Sequence, residues 1–176
     1  MNDARRMMLG IGVAVLLVAT ALLYTQRPAS GPTSGELRWR DWDAGQAEAA
    51  RTGKPMLVDV FTTWCQFCKR MDQETYTDST VIAYMNAHFV PVRLDAEQET
   101  KAQWLGRTTT RSGLAREWRV EGYPTTVFLR ANGEHRVSVP GFLDANEFLR
   151  LLHYVGDGAM DRGVTWDDYT QREGAR

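Results

Sequence analysis

Three features of the 176-residue sequence predict a mixed α/β domain carried behind one N-terminal apolar helix. Short β-rich apolar runs alternate with stretches of helical periodicity, a hairpin signal precedes the last core helix, and Met7 to Tyr24 holds eighteen residues without a charge. Setting that run aside leaves about 140 residues, the size of one domain. Apolar residues at 43% and charged residues at 24% exclude a mainly disordered, collagen-like or polytopic membrane chain. With 21 basic against 22 acidic residues there is no surface for tracking phosphates, so no nucleic-acid partner is expected. Two cysteines are too few for a disulfide scaffold or an all-cysteine zinc site, so sulfur chemistry rests on one pair.

The run MMLGIGVAVLLVATALLY follows Arg5 and Arg6 and precedes Gln26, Arg27 and Pro28. At 1.5 Å per residue it spans about 27 Å, enough for a transmembrane helix and longer than the core of a cleaved signal. The arginine pair is expected to keep residues 1–6 in the cytoplasm, with 7–24 as a signal anchor. In a bacterium the remainder then faces the periplasm from the inner membrane. Ala19 to Ala21 offer small residues for cleavage, but they lie inside the run, so a soluble periplasmic form after cleavage is the alternative. Residues 25–36, with ASGPTSG at Ala29 to Gly35, read as a flexible linker, and 37–176 as the folded domain.

Within the domain, Leu37, Trp39 and Trp42 form a strand-compatible opening, and Asp43 is expected to cap a helix through Gln46 to Arg51 that stops at Gly53. Met56 to Phe61, MLVDVF, reads as a buried central strand. A helix then starts near the first cysteine. Asp78 or Ser79 caps a second helix carrying Val81, Ile82, Tyr84, Met85 and Phe89, and Phe89 to Leu94 is the next strand. Glu97 to Trp118 is polar and helix-biased, broken at Gly106 and Thr108 to Thr110 and restarting near Ser112. Thr125 to Leu129 is β-rich, Asn132 and Gly133 suit a hairpin turn, and Glu134 to Val139 can pair back. Asp144 caps a core helix with Phe148, Leu149, Leu151, Leu152 and Val155, ended by Gly156. Thr165 to Asp168 has the spacing of a capping box, which predicts a short terminal helix packing Trp166.

The chemistry lies in WCQFC. Cys65 and Cys68 sit just after a buried strand and at the start of a helix, where free N–H groups and the helix dipole favour a thiolate. Lys69 and Arg70 add positive charge. At this spacing Cys65 can attack a disulfide and Cys68 can resolve the mixed disulfide. Zinc would need two more ligands, and His88, His135 and His153 are scattered; haem attachment needs a histidine where Lys69 stands. A structural disulfide closing so short a loop, or copper held by both thiolates and Met71, are further alternatives. No metal site and no organic cofactor are expected.

The sequence resembles the thioredoxin superfamily. MLVDVFTTWCQFCK resembles that family's strand, active-site loop and helix, with Asp59 six residues before Cys65, where the family keeps a buried carboxylate. VEGYPTTVFLRANGE resembles the later segment in which a proline, here Pro124, follows a cis peptide bond and faces the cysteines, and Gly141 falls where the family has a glycine after the hairpin. The resemblance covers about Trp39 to Val155. It implies a thioredoxin-like fold with a central mixed sheet flanked by helices. Cys68 to Pro124 is longer than in compact thioredoxins, and the surplus falls between Glu97 and Trp118 as an inserted helical segment. ETYTDSTVIAYMNAHFVPVRLDAE is similar to the C-terminal periplasmic domain of the thiol:disulfide interchange protein DsbD and to membrane-anchored thioredoxin-like relatives.

The resemblance implies roles. Cys65 is the nucleophile and Cys68 the resolving cysteine. Asp59, its pKa raised by an apolar strand, accepts the Cys68 proton through water; otherwise it is a solvated strand-end residue. Pro124 leaves neighbouring Tyr123 backbone groups free to pair with a substrate strand, or else is an ordinary trans proline. Trp64, Phe67 and Tyr123 contact substrate or simply pack. Arg93 can face Asp59 and lower its pKa; the favoured expectation is a solvated Arg93. The function implied is thiol–disulfide exchange with extracytoplasmic client proteins, in the reductase direction, fed by a membrane or periplasmic redox partner. The alternatives are a periplasmic oxidant or isomerase using the same residues, and a non-catalytic thioredoxin-like module that binds a client or copper.

Overall fold

The computed structural model describes residues 35–174. The expected cytoplasmic residues 1–6, the anchor 7–24 and the linker up to residue 34 lie outside them. Among the described residues no helix is long and apolar enough to cross a membrane.

The first helix, α1 (Trp42–Thr52), is capped by Asp41, whose carboxylate accepts from Ala44 N at 2.9 Å, and it ends at Gly53 with φ 72°. A left-handed C-cap suits glycine because no Cβ opposes it. Asp43 therefore lies in the first turn and is not the cap. The expected opening strand reduces to one parallel bridge between Arg40 and Val92. Trp42 is buried as the first residue of α1, where its indole donates to the Gln103 carbonyl at 3.0 Å.

Strand β1 (Met56–Phe61) leads through the cysteine loop to helix α2 (Gln66–Glu74). Helix α3 (Ser79–His88) starts at Asp78, which accepts from the N–H groups of Thr80 and Val81. Strand β2 (Val90–Asp95) follows. A hairpin of β3 (Lys101–Trp104) and β4 (Arg107–Thr110) precedes a short helix, α4 (Arg111–Glu117), capped by Thr110. Strands β5 (Thr125–Leu129) and β6 (His135–Pro140) flank the Asn132–Gly133 turn. Helix α5 (Ala145–Gly156) is capped by Asp144 and runs through Gly156 to its C-cap at Asp157. Helix α6 (Trp166–Gly174) starts at Thr165, whose hydroxyl accepts from Asp168 N at 3.1 Å. Trp166 meets Tyr154 edge-on at 5.2 Å but stays 39% exposed, so it packs in part.

The sheet has the order β2-β1-β5-β6, parallel between β1 and β2 and antiparallel elsewhere. This is a mixed central sheet with helices on both faces. Period-two alternation divides β1: Met56, Val58 and Val60 join Trp42, Leu114 and Trp118 in one core cluster, while Leu57 joins Met71, Phe128 and Phe148 in the other. Asp59, two residues from Leu57, shares the second face.

The segment expected to be an inserted helix is different. Residues 101–110 form the β3–β4 hairpin, and helix is confined to α4, close to the expected restart at Ser112. Leu105 (φ 49°) and Gly106 (φ 76°) both take left-handed conformations, as a two-residue hairpin turn requires. In β3 every second side chain is buried, Ala102 and Trp104, with Lys101 and Gln103 exposed. Trp104 donates its indole N–H to the Gly133 carbonyl at 2.8 Å and meets Trp118 edge-on. Lys101, Ala102 and Gln103 are good helix formers singly, and burial of the tryptophan outweighs that preference.

Candidate redox site

The cysteine pair lies between the C-terminal end of β1 and the first turn of α2. Cys65 is the N-cap of α2, and its Sγ accepts from Cys68 N at 3.0 Å. The two sulfurs are bonded to one another, with the Cα atoms 5.3 Å apart. Both cysteines are buried, and Cys65 N–H donates to the Thr62 carbonyl at 3.3 Å, tying the loop to the end of the strand. On opening of the disulfide, a Cys65 thiolate has an amide donor and the positive end of the α2 dipole in place, which favours the anion over the thiol.

Asp59 is 1% exposed beneath α2. Burial raises its carboxyl to about 6, an effect that the Arg93 guanidinium opposes and the charge of Asp72 reinforces. Arg93 stands opposite Asp59 in the parallel β1–β2 register and approaches its carboxylate to 3.0 Å. The same guanidinium reaches Asp72 of α2 at 2.9 Å and lies 4.4 Å over the Phe61 ring. The expectation of a solvated Arg93 is therefore overturned: its side chain is 25% exposed and shared between two carboxylates. The Tyr76 hydroxyl also stands beside Asp59 without an aligned hydrogen bond, and burial together with the Asp59 charge pushes its pKa well up. Sequence reasoning missed Asp72 and Tyr76. Asp72 follows Cys68 by four residues, which places it on the same face of α2; that spacing was the available signal.

Pro124 follows a cis peptide bond from Tyr123. The Pro124 carbonyl accepts from Gly141 N at 2.8 Å, with Gly141 at φ 97°. Thr125, the first residue of β5, pairs with Val60, so this turn and the cysteine loop sit at the same end of the sheet. Tyr123 is half-buried and meets Trp64 edge-on with ring centroids 6.0 Å apart. Trp64 is 61% exposed and Phe67 57%, on either side of Cys65. Trp64 also donates its indole N–H to Glu97 at 2.9 Å, a contact the sequence did not signal. Among the described residues no group of three or more histidine, cysteine, aspartate or glutamate side chains is placed to hold a metal ion.

The arrangement provides an attacking sulfur at a helix N-terminus, a second sulfur in bonding reach, a buried carboxyl that titrates near 6 and an exposed aromatic rim. It suits thiol–disulfide exchange.

Comparisons with known proteins agree. A DsbD thiol:disulfide interchange protein of Pseudomonas aeruginosa is 31% identical over 124 residues, covering 66% of this chain and 20% of its own length. The DsbD of Haemophilus ducreyi is 29% identical over 110 residues, covering 61% and 18%. This chain thus spans about a fifth of the length of these relatives. Among solved structures, a thioredoxin from Thermus thermophilus superposes with a TM-score of 0.57 at 28% identity, over 70% of this chain and 92% of that one. A thioredoxin-fold protein from Helicobacter pylori gives 0.61 at 21% identity over 70% and 81%, a likeness of fold. The family described as thioredoxin-like domain matches residues 42–156, from the start of α1 to the end of α5. The chain belongs to the thioredoxin-like domain family and carries, in Cys65 and Cys68, the cysteine pair of a thiol–disulfide oxidoreductase.

Proposed function

We propose that this domain reduces disulfides in extracytoplasmic proteins while tethered to the bacterial inner membrane by residues 7–24, with residues 25–36 as the tether and 37–176 as the periplasmic domain. The observation that carries the reading is Cys65 as the N-cap of α2, bonded to Cys68 above a buried carboxyl. In the reduced domain the Cys65 thiolate attacks a client disulfide, forming a mixed disulfide and releasing one client thiolate. Asp59 accepts the Cys68 proton through water. The Cys68 thiolate then attacks the Cys65 sulfur, releases the second client thiolate and leaves the Cys65–Cys68 disulfide. Each cycle consumes two electrons. A membrane or periplasmic redox partner supplies those electrons. Tyr123 and Pro124 present backbone to the client, and Trp64 and Phe67 form the contact rim.

The measured reduction potential tests the direction: about −270 mV supports a reductase, and about −120 mV overturns it in favour of an oxidant. Cys68→Ser expressed in the full chain should accumulate mixed disulfides through Cys65, and mass spectrometry of those adducts names the clients. Retention of cellular function when both cysteines are serine would instead identify a binding module. Recovery of the intact N-terminus in washed membranes tests the anchor; a soluble chain beginning after residue 21 would overturn it.

A further inference from the structure

Beside the disulfide stand two features that attract the same kind of group. The Trp64 ring is exposed, and its N–H is already committed to Glu97 at 2.9 Å, which adds negative character to the ring. The Glu97 carboxylate is exposed too, and no ion pair among the described residues uses it. It is held there by backbone: Glu97 N–H donates to the Asp95 carboxylate at 3.0 Å, and Ser112 N–H donates to the Gln98 carbonyl at 3.0 Å, pinning the 95–98 turn between β2 and α4. On the other side of the cysteines, Arg70 is tied to Glu74 at 2.9 Å and lies over Phe142, so Lys69 is the cation of that rim. The site is therefore acidic and aromatic at Trp64, with Lys69 next to Cys68 on α2. A cation lying over the indole face can at the same time reach the adjacent carboxylate.

We propose that the site selects client disulfides with an arginine or lysine next to the attacked cysteine, bound by the Trp64 face and the Glu97 carboxylate together. This rests on the thiol-exchange reading above and names its substrate class. The test uses the full-length Cys68→Ser chain, reduced, against single-cysteine peptides held as mixed disulfides with thionitrobenzoate and bearing arginine, alanine or glutamate beside the cysteine. The Cys65 thiolate attacks the peptide sulfur: the bond to thionitrobenzoate breaks, the Cys65–peptide disulfide forms, and the coloured thiolate leaves. An exposed ion pair combined with a cation–π contact predicts about tenfold faster release from the arginine peptide than from the glutamate peptide. Glu97→Gln, which keeps an acceptor for the indole, should bring that ratio below about twofold, and 1 M salt should do the same with Glu97 intact. Glu97→Lys should reverse the order. A ratio near one with Glu97 present, or one unchanged in Glu97→Gln and in salt, overturns the charge assignment alone. Failure of all three peptides to react overturns the thiol-exchange reading and this inference with it.

Discussion

The two faces of the central sheet have opposite characters although β1 contributes alternate residues to both. One face packs Val58 and Val60 against Trp42, Leu114 and Trp118. The face beneath α2 packs Leu57 against Met71, Phe128 and Phe148, but it also takes in Asp59, Arg93, Asp72 and Tyr76. A buried carboxyl costs free energy in its charged form, whereas the apolar face bears no such cost. The charged cluster lies under the cysteine helix, tied to it through Asp72. Both faces bury large apolar side chains, and the second also bears the cost of a buried charged cluster.

Substitutions can break this contrast. The largest effect is expected on the apolar face: Leu114→Ala removes a fully buried side chain and should cost about 3 kcal/mol in denaturant unfolding, leaving the reduction potential in place. A potential that moved with it would show that the two faces are not separable. Asp59→Asn should act in the reverse sense. The native carboxyl titrates near 6 and the unfolded one near 3.8, so between these values the folded state binds more protons and stability falls as pH rises. Above about pH 6 the cost is fully present, and Asn should restore about 2 kcal/mol there, somewhat less than the full shift because Arg93 loses a partner. The gain should vanish below about pH 4, while resolution of mixed disulfides at pH 7 slows by about 10- to 100-fold. Equal stabilisation at pH 4 and pH 8 would remove Asp59 titration as the cause. The smallest effect belongs to the hairpin turn. Gly106→Ala places a Cβ at φ 76° and should cost about 1 kcal/mol with no change in exchange rate.

Much of the site was legible because its signals are local. WCQFC after a β-rich run marks the cysteines at a helix start, and the apolar run MLVDVF, with the family resemblance, gives Asp59 as a buried carboxylate. The segment around Pro124 marks the facing turn. The hairpin at 101–110 was not legible, since its strands are short and polar on one side and β3 is rich in helix formers; burial of Ala102 and Trp104 decides it. The pairing of Arg93 with Asp59 was legible only as the less favoured alternative, and its sharing with Asp72 not at all. The two aspartates are thirteen residues apart, on a strand and a helix, and Arg93 lies on a neighbouring strand.

By itself, then, the sequence determined the order of elements outside residues 101–110, the caps at Asp144 and Thr165, a cap at Asp78 or Ser79, and the identity of the reacting cysteines, because periodicity and capping act over a few neighbouring residues. Tertiary structure alone decided which charge stands beside Asp59, how far burial raises its carboxyl, and which carboxylate holds the Trp64 ring. Each of those depends on strand register and on loops meeting in space, at separations over which sequence spacing carries no geometric information.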